Sequence, residues 1–181
     1  GKAAGEPRSL VVSEQCPVKT MDDLIASKEV VKLASAGIGS ASYTDTRLLA
    51  EAFSLNIKII PGYEGTEGEM SMLRGEVCGQ FRSTSSMQEF VDSGYGHFIV
   101  TLGGEIEGVP RAIDYAKTDR AKSIVSLIEA LAQLGRVIAG PPDMDKHRLE
   151  YLRAAYKNTL QDPALLAEAE MMQLPIDPAY G

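Results

Sequence analysis

The chain has 181 residues, of which 44% are apolar and 24% charged, enough for one full-sized domain whose core needs no staples. A net charge of -7, 6% aromatic residues and no Trp argue against a nucleic-acid surface of basic patches and stacking rings. No apolar run reaches the roughly 18 residues of a membrane span, and residues 1–7 lack the apolar core of a signal peptide. As written the chain reads as cytoplasmic; as part of a longer exported polypeptide it reads as periplasmic.

The first strand is expected over 9–12. Thr20 and Asp23 then have capping spacing for a helix over about 21–28. A second strand ends near Ala34 and runs into Gly37, Ile38, Gly39, Ser40, Ala41 and Ser42. The helix that follows carries Leu48, Leu49, Ala52 and Phe53 on one side, with Asp45, Arg47 and Glu51 elsewhere. A third strand over 57–60 is closed by Pro61 and Gly62, with a Met-rich helix over 69–74 behind it. The fourth strand is expected over 77–81. Ser86 and Glu89 have capping-box spacing for a helix stopping at Gly94, and 97–102 is a fifth strand.

Strands alternating with helices at this spacing predict an α/β fold with a mainly parallel sheet flanked by helices. Beyond it lie a short helix over 110–117, a long amphipathic one over 120–134, and a strand over 136–139. Two late helices follow. One spans 146–160 with Leu149, Leu152, Tyr156 and Leu160 on one face; the other, about 164–172, is opened by Asp162 and Pro163. Neither has a strand of its own to pack on.

Ligands of parallel α/β sheets bind outside the carboxyl ends of the strands, where the loops at 37–42, 62–68 and 82–86 converge. Backbone N–H groups of Gly39, Ser40 and Ala41 at a helix start suit an anion, and Arg82 is a bidentate donor beside Ser83 and Thr84. Rival chemistries lack residues. The third glycine of a dinucleotide loop is replaced by Ser42, no Gly-Lys-Ser/Thr or G-x-S-x-G is present, and two His with two Cys match no zinc spacing. No metal, cofactor or acid–base pair is expected, so the chain reads as a binding protein and not an enzyme. Cys16 and Cys78 could form one bridge, but two isolated cysteines define no framework, and both are expected free and half-buried.

The segments 10–12, 20–24, 36–40, 59–63, 72–77 and 139–142, followed by Arg148 to Arg153, Asp162-Pro163 and Pro175 to Pro178, occur in an order and spacing that resembles the TctC/Bug family. These are extracytoplasmic solute-binding proteins of tripartite tricarboxylate transporters. The resemblance implies a type II periplasmic-binding-protein fold of two lobes, with a carboxylate held between a glycine-rich loop from each. The loop at 37–42 matches that of the second lobe, while the long N-terminal part of the first lobe has no counterpart here.

On this reading residues 8–139 form the second lobe and 140–181 a C-terminal helical segment that would dock on the first. The ligand-binding set is Gly37, Gly39, Ser40, Ala41, Ser42, Tyr43, Tyr63, Arg82, Ser83 and Thr84. Tyr43 stands where the family often has His, and Arg82 where it often has Asp, which favours a further carboxylate on the ligand. The implied partners are a small carboxylate, bound weakly if the chain acts alone, and membrane transporter subunits if it belongs to a full-length receptor. The alternative is a truncated or repurposed structural protein that self-associates through the face left by the missing lobe.

Overall fold

In the computed structural model, which describes every residue except Gln173 and Gly181, the chain divides into two compact units. One is Pro7–Ala130; the other joins Gly1–Glu6 to Leu131–Gly181.

The first unit is α/β. Its strands are β1 (Arg8–Ser13), β2 (Val31–Ser35), β3 (Ile57–Pro61), β4 (Gly79–Ser83) and β5 (Gly96–Leu102), in the spatial order β3-β2-β4-β1-β5. β2 is parallel to β3 and β4, whereas β1 lies between β4 and β5 and is antiparallel to both. Four strands therefore point one way and β1 the other. The central place of β1 fits its run of Leu10, Val11 and Val12, all buried, since a strand covered on both faces needs apolar residues on both.

Helices cover both faces. On one, Leu10, Leu33, Phe81, Val100 and Leu102 pack with residues of α1 (Met21–Ala26), α2 (Ala41–Phe53), α5 (Ala112–Tyr115) and α6 (Asp119–Leu134). On the other, Val11, Ala34 and Phe98 meet α3 (Glu67–Leu73) and α4 (Thr84–Asp92) through Met72, Met87 and Phe90. Close approach of strand to strand requires glycine at position 79, where a Cβ would overlap the Val11 carbonyl oxygen.

Local signals set several boundaries as expected. Thr20 and Asp23 form the capping box of α1, with Asp23 N–H donating to Thr20 Oγ1 (3.1 Å) and Thr20 N–H to Asp23 Oδ2 (2.9 Å). Others moved. α4 begins at Thr84, and Ser86 is not its cap: it lies in the first turn and donates back to the Ser83 carbonyl (2.8 Å). β4 starts two residues later than expected, and α3 two residues earlier.

Two expectations are overturned in this unit. Cys16 and Cys78 form a disulfide, with Cα atoms 5.0 Å apart. The antiparallel pairing of β1 with β4 brings them together, since Val12 lies opposite Gly79 and Ser13 N–H donates to the Cys78 carbonyl (2.9 Å). Asp45, assigned to the polar side of its helix, is buried instead.

In the second unit, 136–139 is no regular strand. Gly1–Ala4 makes isolated bridges to residues on either side, with Ala3 N–H on Arg136 O (3.2 Å), Ile138 N–H on Gly1 O (2.9 Å) and Lys2 N–H on Ala179 O (2.8 Å). The four main-chain hydrogen bonds to 136–138 and three to 177–179 leave only isolated bridges and no regular ladder. α7 (Lys146–Thr159) is capped by Asp145 and α8 (Pro163–Met171) by Asp162, whose Oδ1 accepts from Ala164 and Leu165 N–H. No residue of α7 is buried. Leu149 and Tyr156 are half-covered, and Leu152 is exposed.

Candidate ligand site at the carboxyl edge of the sheet

β2 ends at Ser35, and the next seven residues are held by their own hydroxyls. Ser42 Oγ accepts from Ala36 N–H (3.1 Å) and lies 3.2 Å from Ser40 Oγ, which accepts from Tyr43 N–H (3.2 Å) as the N-cap of α2. Gly39 adopts φ 88°, a left-handed conformation that favours glycine. Ser40 N–H is not available to a ligand, because it donates to the Gly37 carbonyl (3.0 Å). Among the described residues, the N–H groups of Gly39, Ala41 and Ser42 have no acceptor. The free donors at the start of α2 are therefore Ala41 and Ser42, with Gly39 just before them.

The loop after β3 joins the same edge. Tyr63 N–H donates to the Ser35 carbonyl (3.0 Å), but the Tyr63 hydroxyl is bonded to Ser71 (3.2 Å), which also donates to Glu76 (2.8 Å). Arg74 adds two hydrogen bonds to the Glu76 carboxylate, and with Ser71 these hold its pKa down at about 2. Tyr43 lines a groove between α2 and the edge strand β3, beside Arg47, Leu55 and Lys58.

Arg82 does not face the start of α2. Strand alternation turns it to the α3 side, where Nη1 donates to the Gly65 carbonyl (2.8 Å) and lies 3.9 Å from Glu69. Burial pushes the Glu69 carboxyl up, with Arg82 partly offsetting this. Ser83 caps α4 in backbone terms and donates to Ser86 Oγ (2.9 Å). Thr84 is similarly engaged: its hydroxyl is 2.7 Å from Ser9 Oγ, which donates to Thr101 Oγ1 (3.3 Å). This row of hydroxyls links α4, β1 and β5.

Arg8 is a cation on the α2 side. Because β1 runs against its neighbours, its first residue lies at the edge where they end, opposite Ser83 and Leu102. Arg8 Nε lies 3.4 Å from Asp45 Oδ2, and the two side chains are only 17% and 7% exposed. Burial raises the Asp45 pKa above its ordinary value, while the Arg8 charge pulls it back. One signal for Asp45 stood in the sequence, since it precedes the buried Leu49 by four residues and shares its helix face. Nothing local marked Arg8, whose position depends on the direction of β1.

These groups can hold an anion, and no nucleophile is paired with a base among them. His97, whose ring contacts Glu14 (2.7 Å) and the Lys19 carbonyl (2.9 Å), belongs to the opposite edge of the sheet. Among the described residues there is no cluster of three metal-ligating side chains, and no helix is long and apolar enough to cross a membrane.

Residues 2–179 match the family model for the tripartite tricarboxylate transporter family receptor, TctC. The chain belongs to this family. It is a family of transport receptors and not of enzymes. Solved structures agree on the fold. A TctC solute-binding protein from Polaromonas, without ligand, has a TM-score of 0.67 at 13% identity, over 99% of this chain and 61% of its own. An R. palustris protein solved with adipate gives 0.70 at 14%, over 98% and 59%. The periplasmic binding protein BugD gives 0.69 at 18%, over 95% and 57%. The TctC chain thus spans between 57% and 61% of the length of these three. No curated protein matches it.

Proposed function

We propose that this TctC chain is the carboxylate-holding second lobe of a tripartite tricarboxylate transporter receptor, and that its ligand is a small dicarboxylate. The observation that carries the reading is the start of α2, where the N–H groups of Gly39, Ala41 and Ser42 have no acceptor among the described residues. Adipate in the R. palustris relative supports the ligand class. The Cys16–Cys78 disulfide supports an oxidising compartment such as the periplasm. Membrane transporter subunits are the partners this role implies.

The proposed site combines Gly37, Gly39, Ala41 and Ser42 with Ser40 as the cap that holds the turn. Tyr43, Tyr63, Arg82, Ser83 and Thr84 frame the same edge through their backbone. A single lobe leaves a ligand open to water on one side, so affinity for the chain alone is weak. Titration of the 15N-labelled chain with dicarboxylates from succinate to adipate tests the reading. Saturable shifts confined to the amides of 37–43 support it; no shift up to tens of millimolar, on the order of the weakest specific affinities, overturns it.

A second reading rests on α7. A helix that buries none of its residues, with Tyr151 and Leu152 exposed, leaves apolar surface for another chain. In this reading the unit Gly1–Glu6 with Leu131–Gly181 mediates self-association. Sedimentation separates the two: a monomer that binds dicarboxylates favours the receptor, and a tight dimer indifferent to them favours the structural role.

A further inference from the structure

We propose that Arg8 reads one carboxylate of the ligand at this edge and so selects dicarboxylates over their half-amides. The inference rests on the receptor reading above and assigns the charge recognition within it.

Three observations converge on Arg8. The first is its place: the reversed direction of β1 sets it opposite Ser83 and Leu102, at the ends of β4 and β5. The second is its neighbourhood. Arg8 contacts Asp45, which follows Ala41 by one helical turn on the same face of α2, the helix that opens with the free N–H groups.

The third is the poor geometry of its ion pair. Arg8 Nε is buried and forms no hydrogen bond, even though Asp45 is 3.4 Å away. A buried pair kept only for stability gains from full hydrogen bonding, and without it an apolar pair of similar size serves better. A guanidinium carries five donors in a fork suited to a carboxylate. Asp45 neutralises Arg8 without satisfying it. Arg82, at the end of β4, is engaged by the Gly65 carbonyl and Glu69. In a chain of net charge -7, a cation at this edge is what lets a second carboxylate approach.

The test uses the full chain and two probes, adipate and adipate monoamide, followed by 15N NMR that resolves the Arg8 Nε–H. Adipate is expected to bind about tenfold more tightly than the monoamide and to shift the Arg8 Nε–H along with the Ala41 and Ser42 amides. In Arg8→Gln the preference falls to about twofold or less; Arg8→Lys, which keeps charge without the fork, lies between. Equal adipate binding by wild type and Arg8→Gln overturns the proposal and leaves the receptor reading intact. So does an unmoved Arg8 Nε–H while the loop amides shift, a measurement on the wild type that holds even if the variant does not fold. Absence of any adipate shift in the wild type overturns both.

Discussion

Cys16 and Cys78, separated by 62 positions in sequence, are joined by a disulfide that fastens the loop after β1 to the start of β4. On the loop-closure model a link of this span stabilises by about 4 kcal/mol, chiefly by restricting the unfolded chain. Urea unfolding with and without dithiothreitol, and of the Cys16→Ala/Cys78→Ala variant, is expected to show a lower midpoint for the reduced and substituted forms. Coincident midpoints in all three would refute the cross-link.

Arg8→Met leaves Asp45 buried without its cation. The Asp45 pKa is already above its ordinary value, so this carboxyl contributes its stability below about pH 4 and loses it as pH rises through the folded pKa. Removing Arg8 extends that loss. The variant is expected to be destabilised by about 2–3 kcal/mol at pH 7 and by about half as much at pH 4. Guanidinium midpoints at the two values check this, with Arg8→Met/Asp45→Asn as the control in which the pH dependence disappears.

Glu76 behaves oppositely. Its pKa is lowered from 4.5 to about 2 by Arg74 and then Ser71. Its contribution is present above pH 4.5 and is lost as pH falls toward 2. Glu76→Gln is therefore expected to lower the Tm at neutral pH and to flatten the acid limb between these values, converging on the wild type toward pH 2. An unchanged acid limb would mean that the Arg74–Glu76–Ser71 contacts do not persist in solution.

Gly79→Ala drives a methyl into the Val11 carbonyl at the β1–β4 pairing. Backbone cannot yield as a flexible side chain does, so a loss of about 3 kcal/mol or more is expected. Gly94→Ala provides the comparison: nothing lies within 4 Å of its added Cβ, and only its φ of 73° opposes the change, at about 1 kcal/mol. Thermal denaturation of the two variants should rank them in that order.

The sequence by itself determined what depends on neighbours along the chain. Thr20 with Asp23, Asp162 with Pro163, and the glycines and serines of 37–42 act over a few residues, so the helix starts and the anion-suited turn were legible, as was the order of segments that resembles TctC. Tertiary structure decided what depends on pairing between distant segments. A strand carries no local mark of its direction, and the reversal of β1 alone placed Arg8 at the edge where the other strands end and brought Cys16 to Cys78. The same holds for the faces of the sheet. Arg82 stood at the expected strand end, but the pleat turned it to Gly65 and Glu69, while Asp45 went inward because Arg8 was there to meet it.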